Sequence, residues 1–174
     1  QTLIYDQADN RTGASNSYVK NVYTYDGNNR LAKKDTTVLE ISKTVSVSYT
    51  YGDGMNLTKI TYPSTRYATY NYNSGNQVTS VTGTVTYASS VGYSAAGPMT
   101  SITYGNGVAM SIGLDSRYRI KSIKSPSSSG TILNLTYGYT GENVTGITDV
   151  RDSSKSMTFG YDNRDRMTLS LIHI

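Results

Sequence analysis

The sequence repeats itself, and the repeat limits what the chain can fold into. Aromatic or apolar residues recur in pairs separated by one residue, and we call the second member of each pair the anchor. The anchors recur every 20 to 26 residues: Tyr5, Tyr25, Tyr51, Tyr72, Tyr93, Leu114, Tyr139 and Tyr161. The first members of the pairs are Leu3, Tyr23, Tyr49, Tyr70, Val91, Ile112, Tyr137 and Phe159. A period of this length is typical of proteins built from stacked, similar units.

The position after the anchor carries a short side chain with an oxygen atom in every unit but one. These residues are Asp6, Asp26, Asn73, Ser94, Asp115, Thr140 and Asp162, and Gly52 is the exception. Such oxygens accept hydrogen bonds from backbone amides one or two residues ahead and so hold a turn. Glycine and asparagine follow in most units, as in Gly27-Asn28-Asn29 and Gly75-Asn76, and they tolerate the positive φ of tight hairpin turns. The pattern predicts a turn after every anchor.

The residues on both sides of each turn predict strands. Before the anchor the period is two, as in Val45, Val47, Tyr49 and Tyr51, which is typical of a half-buried strand. After the turn, apolar pairs are spaced by three, which breaks strict alternation. Either a β-bulge near the turn or a strand contacted on both faces would explain this spacing. The pairs are Leu57/Ile60, Val78/Val81, Met99/Ile102, Ile120/Ile123 and Val144/Ile147.

The units together predict an all-β fold of tandem β-hairpins that form an extended, curved antiparallel sheet. Residues 1–170 hold about eight units of about 22 residues. Residues 171–174 are a non-repeat tail, interpreted as a truncation end, and the start at Gln1 suggests a segment internal to a longer protein. Second turns are expected at Tyr62-Pro63-Ser64 and Gly105-Asn106-Gly107. Two long spacings are attributed to loop insertions around residues 33–43 and 126–130.

The composition excludes several kinds of catalytic and metal-binding site. Cysteine is absent from the 174 residues, so disulfides, thiolate metal sites and a cysteine nucleophile are excluded. The one histidine, His173, is the second-last residue, where chain ends usually fray. No apolar run approaches the ~18 residues of a membrane span. We therefore expect no enzyme, no cofactor, no metal site and no membrane span.

The motifs resemble the YD repeats of the Rhs/YD-repeat family, which includes bacterial polymorphic toxins, cocoon subunits of insecticidal toxin complexes, and the teneurins. The segments that carry the resemblance are YTYDGNNRL (23–31), YNYNSGNQVTSVT (70–82), ITYGNGVAMSIGLDSRYRIKSI (102–123) and FGYDNRDRMT (159–168). The resemblance implies a hairpin ribbon that forms part of a hollow shell. In such proteins the shell encloses a variable C-terminal toxin or serves as a cell-surface scaffold. The family's self-cleavage site lies near an Asp-Pro pair, which this chain lacks, so neither that site nor the toxin is expected here.

The resemblance implies a structural wall segment that encloses or displays a C-terminal toxin or effector domain absent from this chain. The expected partners are further repeats and the effector of the same polypeptide, in a secreted or bacterial cell-surface location, without nucleic acid. The alternative is a cell-surface adhesin that binds glycans through exposed tyrosines. An isolated fragment of such a wall would expose a tyrosine-rich face and two unpaired sheet edges, which predicts self-association.

The motif residues themselves have a structural and a functional interpretation. Asp6, Asp26, Asp115 and Asp162 are candidate acid–base groups, but asparagine and serine at the same phase favour turn formation. The pairs Asp6/Asp9 and Asp162/Asp165 are candidate calcium ligands, but the Gly- and Asp-dense calcium nonapeptide pattern is absent. One face of the sheet is expected to carry tyrosines that pack between neighbouring units and stay partly wet, because a dry core would have to satisfy every hydroxyl. These tyrosines are Tyr23, Tyr25, Tyr49, Tyr51, Tyr70, Tyr72, Tyr137 and Tyr139. Arg117, Arg119 and Lys121 would share a face if they lay on a strand, and this stretch is the best nucleic-acid candidate. Asn-x-Ser/Thr triplets at Asn10, Asn56, Asn134 and Asn143 do not establish glycosylation.

Overall fold

A computed structural model describes residues 1–127 and 130–172 and divides the chain into two compact units. The first unit, Gln1–Val85, contains eight strands that pair with their sequence neighbours in antiparallel fashion. They are β1 (Thr2–Tyr5), β2 (Arg11–Ser15), β3 (Val19–Tyr25), β4 (Leu31–Val38), β5 (Lys43–Tyr51), β6 (Leu57–Thr61), β7 (Tyr67–Tyr72) and β8 (Val78–Gly83). The four pairs β1/β2, β3/β4, β5/β6 and β7/β8 are hairpins, and each contains one anchor.

The second unit, Thr86–Ile174, is built in the same way from four more hairpins. Its strands are β9 (Ala88–Tyr93), β10 (Met99–Tyr104), β11 (Ala109–Leu114), β12 (Ile120–Ser127), β13 (Gly130–Thr140), β14 (Asn143–Asp149), β15 (Met157–Tyr161) and β16 (Met167–Ile172). A single 3-10 helix, Ser153–Lys155, is the one helical element of the described residues. The predicted all-β fold of antiparallel tandem hairpins is confirmed.

Strand boundaries follow the anchors. Seven of the eight anchors are the last residue of an odd-numbered strand, and Tyr139 is the last but one of β13. The expected turns at Tyr62-Pro63-Ser64 and Gly105-Asn106-Gly107 also form, with Tyr62 N–H donating to Arg66 O at 2.8 Å and Tyr104 N–H to Val108 O at 2.8 Å. The interval of twenty-odd residues is therefore the length of one hairpin plus its two turns.

A β-bulge lies next to every anchor. In β5/β6, Tyr51 faces Leu57 and Thr50 faces Lys59, so Thr58 is the extra residue. The same register shift recurs in all eight hairpins. The extra residues are Thr12, Ala32, Thr58, Thr79, Thr100, Lys121, Thr145 and Thr168. The bulge returns the second apolar residue of each i, i+3 pair to the anchor's face, which settles the two explanations of that spacing in favour of the bulge.

The two long spacings do not come from loops, as the sequence suggested, but from longer strands. Extra residues extend β4 and β5, so that pairing continues to Val38 opposite Lys43. In β12/β13, Ser127 pairs with Gly130, and Pro126 and Gly130 are themselves strand residues. Pairing two added segments with each other satisfies their backbone groups, which a loop would leave to water.

Few of the described residues are buried. The buried residues among those described are Gly13, Ala68, Ala88, Ser125 and Asp149, all small or polar. The motif tyrosines from Tyr23 to Tyr161 are half-buried, and Tyr5 is exposed. A face of this kind is partly wet, as expected from the number of tyrosines. The described part of the predicted tail, Leu171 and Ile172, belongs to β16, whereas His173 lies outside the described residues.

Gly105 gives the sharpest test of the second unit's backbone. A Cβ at this position would lie 1.6 Å from Thr86 O and 2.5 Å from the Thr86 carbonyl carbon. We expect Gly105→Ala to cost at least ~2 kcal/mol of unfolding free energy, because overpacking of a fixed backbone is destabilising. Urea denaturation followed by circular dichroism measures the loss. Gly27→Ala is the control, since nothing lies within 4 Å of its Cβ position, and equal midpoints for the two variants would contradict the prediction.

Candidate functional site

The recurrent aspartates lie in the turns that follow the anchors, and each holds its own turn. Asp26 Oδ1 accepts hydrogen bonds from the backbone amides of Asn28 and Arg30 at 2.9 and 3.0 Å. The backbone closes the same turn through Asp26 N–H to Arg30 O at 2.9 Å. Equivalent pairs of bonds to one side-chain oxygen are made by Asp6, Asn73, Asp115 and Asp162. An amide oxygen serves as well as a carboxylate, which explains why asparagine substitutes for aspartate.

Most of the turns that follow the anchors place one residue in the left-handed region, whereas the turn at residues 52–56 has none. The third residue after the aspartate has a positive φ, as in Asn29 at 58° and Asn76 at 58°. From the sequence, Gly27 and Gly75 are equally good candidates for the residue with a positive φ, yet neither has one. At the corresponding position in other turns stand Asp9, Gly97, Tyr118 and Asp165. The hairpin at Tyr139 has instead a tighter turn around Gly141, with φ 59°, which follows Thr140 directly.

An arginine four residues after the aspartate extends this turn to the next hairpin. Arg30 Nε donates to Asp26 Oδ2 at 2.8 Å. Its guanidinium lies over the ring of Tyr51, the next anchor, at 4.6 Å from the centroid. Arg30 Nη1 also donates to Gly54 O, in the next turn, at 2.7 Å. The guanidinium therefore joins two consecutive turns and covers one face of the tyrosine between them.

The same arrangement recurs in the second unit. Arg119 Nε donates to Asp115 Oδ2 at 2.8 Å, its guanidinium lies 4.1 Å from the centroid of Tyr139, and Nη1 donates to Gly141 O. These arginines are the main feature that sequence reasoning missed. The signal was available as an Asp-x-x-x-Arg spacing in phase with the repeat, at 26/30, 115/119 and 162/166.

The anchor tyrosines bind the preceding hairpin through their hydroxyl groups. Tyr51 Oη donates to Leu31 O at 3.0 Å, and Leu31 is the residue that faces the preceding anchor, Tyr25. Corresponding bonds run from Tyr25 to Arg11 O, Tyr72 to Leu57 O, Tyr139 to Ile120 O and Tyr161 to Val144 O, at 2.8–3.0 Å. Leu114 cannot donate such a bond. The hydroxyls of these five tyrosines are therefore occupied by backbone carbonyls.

Turn asparagines add a third link between hairpins. Asn10 Nδ2 donates to Asn29 Oδ1 at 3.2 Å, Asn56 Nδ2 to Asn76 Oδ1 at 2.9 Å, and Asn143 Nδ2 to Asp165 Oδ1 at 2.7 Å. Each of these asparagines stands two positions before a bulge threonine, which accounts for three of the four Asn-x-Ser/Thr triplets. Asn134, the fourth, lies within β13 and does not precede a bulge threonine. The triplets thus arise from the hairpin pattern itself.

The basic stretch around Arg117 does not form the strand face considered in the sequence. Arg117 and Arg119 lie in the turn before β12, and only Lys121 lies on the strand. Arg117 pairs with Glu142 at 2.9 Å, and Arg119 is bound to Asp115 as described above. Two of the three cations are thus engaged with carboxylates instead of forming an unopposed basic patch.

The electrostatics of the turns favour ionised carboxylates. The pKa of Asp26 is lowered from its ordinary value, first by the backbone amide of Arg30 and then by the Arg30 side chain. The pKa of Asp162 is lowered chiefly by the Arg166 side chain. Asp6 and Asp115 also have lowered pKa values, and the Asn10 and Arg119 amides respectively contribute. Burial raises the pKa of Tyr139. Such carboxylates hold no proton to donate near neutral pH, and their oxygens are already bonded.

Open grooves lie on the described residues of both units. One, of about 480 Å3, is lined by residues including Val45, Ser46 and Tyr62, and another, of about 430 Å3, by residues including Thr145, Phe159 and Asp165. Among residues 1–127 and 130–172, no three His, Cys, Asp or Glu side chains are placed to hold a metal ion. Within the same residues, the helical segment is too short to cross a membrane.

Known structures share this fold. A crystal structure of TcdB2-TccC3 matches with a TM-score of 0.82 and 15% identity, covering 95% of this chain and 10% of that one. The Photorhabdus luminescens Tc holotoxin pore with the mutation TccC3-D651A matches with a TM-score of 0.81 and 15% identity, covering 97% and 10%. TcdB2-TccC3-Cdc42 matches with a TM-score of 0.81 and 14% identity, covering 95% and 10%. No protein-family model and no curated protein sequence matches the chain.

These likenesses define the fold. The chain has the antiparallel hairpin-repeat fold of a segment of Tc toxin chains, in agreement with the resemblance to YD-repeat shells. It spans about a tenth of the length of the structures it matches.

Removing a single tyrosine hydroxyl tests the links between hairpins. We expect Tyr72→Phe to lower the unfolding free energy by ~1 kcal/mol, because it deletes the bond to Leu57 O and keeps the ring. Urea denaturation gives the value. Tyr18→Phe is the matched control, since Tyr18 is 71% exposed and its hydroxyl donates no bond among the described residues. A Tyr72→Phe variant as stable as Tyr18→Phe would show that the bond contributes nothing.

The pH dependence of stability tests the contribution of the ionised turn aspartates. The pKa of Asp26 is lower in the folded chain, so the unfolded chain takes up the proton first as the pH falls. The ionised carboxylate therefore stabilises the fold above pH ~4, and this stabilisation is lost as the pH falls below that value. We expect Asp26→Asn to lessen the fall in thermal midpoint between pH 5 and 2.5, because asparagine keeps the two amide bonds and cannot titrate. Asp53→Asn, in an exposed turn, serves as control. Identical pH profiles for wild type and Asp26→Asn would refute this account.

Proposed function

We propose that this chain is a wall segment of a YD-repeat shell that encloses or displays a C-terminal toxin or effector domain not present in the chain. It contributes a surface and performs no reaction. Its partners are further repeats and the effector of the same polypeptide, and its location is outside the cell or on the bacterial surface. The observation that carries the proposal is that the motif aspartates hold turns within hairpins, while five anchor tyrosines bind the preceding hairpin.

The motif side chains make contacts that stabilise the fold. Asp26 and Asp115 hold turns, Arg30 and Arg119 join successive turns, and the hydroxyl of Tyr51 binds the preceding hairpin. A general acid or base needs a carboxyl that can exchange its proton with a substrate. The lowered pKa values and occupied oxygens of these aspartates do not suit that role. We extend the structural role to the full motif set, including Leu114 and Phe159.

The physical basis of containment is an unbroken hydrogen-bond ladder in each unit. Antiparallel pairing satisfies the backbone from strand to strand, and the side-chain links close the end of each hairpin at its turn. Such a layer excludes proteases from whatever lies behind it without any deep core of its own. The fold shared with Tc toxin chains supports this role, and a solved structure of TcdB2-TccC3 without its hypervariable C-terminal region is consistent with a separate C-terminal part in those proteins.

The adhesin alternative has less support. Carbohydrate-binding aromatic residues present an open ring face and free polar groups. Here Tyr72 donates its hydroxyl to the backbone, and the rings of Tyr51 and Tyr139 are covered by guanidinium groups. Tyr70 and Tyr72 are half-buried between strands.

Protease protection in the full-length gene product tests the shell. We expect the polypeptide downstream of this segment to resist digestion while the wall is intact, and to become sensitive in the full-length Gly105→Ala variant. The full-length Gly27→Ala variant should retain protection, because that site has room for a Cβ. Digestion of the downstream polypeptide at the rate of the same polypeptide expressed alone would contradict the proposal.

A glycan array separates the adhesin from the wall. A wall segment predicts no specific sugar, and Tyr70→Ala with Tyr72→Ala should lower stability. An adhesin predicts loss of sugar binding with an unchanged unfolding midpoint, and that result would replace the present proposal.

A further inference from the structure

A junction is the place where the second strand of one hairpin pairs with the first strand of the next hairpin. The described residues contain six junctions within the two units, and all six share one register. In β4/β5, Lys33 faces the residue before one anchor and pairs with Ser48, three residues before the next anchor. In β10/β11, Ser101 and Ser111 are related in the same way. Side chains at equivalent positions of the six junctions can therefore be compared directly.

Five of these six junctions carry a hydroxyl bond between hairpins. The anchor of the later hairpin donates to the carbonyl of the residue that faces the earlier anchor, as Tyr139 does to Ile120 O at 2.8 Å in β12/β13. The β10/β11 junction is the exception. Its anchor, Leu114, is half-buried and has no hydroxyl, so the equivalent carbonyl, that of Met99, receives no bond from an anchor.

A second side-chain link is also missing from the β10/β11 junction. At the other five junctions, the residue two positions before the bulge donates a hydrogen bond to an oxygen of the next turn. These residues are Asn10, Arg30, Asn56, Arg119 and Asn143. In the hairpin before the β10/β11 junction the same position holds Pro98, whose side chain is a hydrocarbon. Neither of the two recurrent links can form there.

The turn next to this junction is held by fewer bonds than the equivalent turns. In β3/β4, Asp26 Oδ1 accepts hydrogen bonds from the amides of Asn28 and Arg30. Ser94 stands at the position of Asp26, and its buried Oγ has no hydrogen-bond partner among the described residues. Pro98 stands at the position of Arg30 and has no N–H to donate. The backbone bond from Ser94 N–H to Pro98 O, at 2.9 Å, still closes the turn.

The β10/β11 junction therefore depends on its backbone ladder, which consists of three residue pairs. The β14/β15 ladder is shorter, with two pairs, but Tyr161 and Asn143 add both side-chain links to it. The β12/β13 ladder is longer, with six pairs, and has both links as well. Local opening of a native protein begins where the fewest interactions have to be broken.

We propose that the β10/β11 junction is the line along which the second unit opens, with β10 and β11 separating before the strands of the β12/β13 and β14/β15 junctions. Opening leaves the hairpins β9/β10 and β11/β12 closed, because each keeps its own ladder and bulge. The inference goes beyond the proposed function and does not rest on it, since it requires only the links within the second unit. In a wall, such a junction is the place where the layer parts.

Amide hydrogen exchange of the whole chain, resolved by residue with NMR, tests the order of opening. The amides that donate across β10/β11 should exchange about tenfold faster than those that donate across β12/β13 or β14/β15, because two side-chain links are missing. Rates within twofold of each other at the three junctions, or faster exchange across β12/β13 or β14/β15, would overturn the proposal.

Restoring the hydroxyl tests the cause. Leu114→Tyr should slow exchange across β10/β11 by about fivefold, the effect of one hydrogen bond, because the shared register places Met99 O within reach of the new hydroxyl. Leu114→Phe is the matched control, since it supplies the ring without the hydroxyl, and it should leave this exchange unchanged. Equal exchange rates in the two variants would contradict the proposal.

The reciprocal variant requires no new side chain to fit. Tyr139→Phe removes the bond to Ile120 O and keeps the ring. It should speed exchange across β12/β13 by about fivefold and leave exchange across β10/β11 unchanged. Acceleration by the same factor at both junctions would show that the second unit opens as a whole, and the proposal would then be wrong.

Discussion

The hydrogen bonds that join one hairpin to the next hold each unit together. A globular domain of this length usually gains much of its stability from a buried apolar core, but here the buried hydrophobic residues among those described are only Ala68 and Ala88. The backbone ladder, the tyrosine hydroxyl bonds and the arginine contacts therefore act where a core would otherwise act. Because each link is local to a junction, the hairpin is the unit that can be added or removed, as in other repeat proteins.

The tyrosine at the anchor combines two tasks that no other side chain performs together. Its ring covers apolar surface between strands, and its hydroxyl reaches a carbonyl at the end of the preceding hairpin, as in Tyr51 to Leu31. Phenylalanine would keep the first task and lose the second, and leucine does so at position 114. The arginine that lies over Tyr51 and Tyr139 favours a ring at that place for a further reason, since the guanidinium is attracted to the π face.

Much of the fold follows from the sequence because the determining signals are local and repeated. Alternation in residues such as Val45 to Tyr51 defines a strand, the aspartate after an anchor defines a turn, and spacing by three in Leu57 and Ile60 required either a bulge or a strand contacted on both faces. Links between hairpins were harder to foresee. That Arg30 reaches Gly54 depends on the junction register, which no single unit contains. The extra residues before Lys43 suggest a loop from sequence alone, because strand pairing between two added segments has no short-range signal in the sequence.

The register at the junctions between consecutive hairpins does not depend on any single motif residue. Leu114 lacks the hydroxyl and Thr140 lacks the turn carboxylate, yet β11–β14 pair in the same register as the other strands. A one-residue slip would move every anchor to the opposite face of its strand, and it would break the ladder, the hydroxyl bond and the arginine contact at the same junction. A substitution at one motif position removes one of these links, whereas a slip in register removes all three, so the fold depends more on the register at each junction than on any one motif residue.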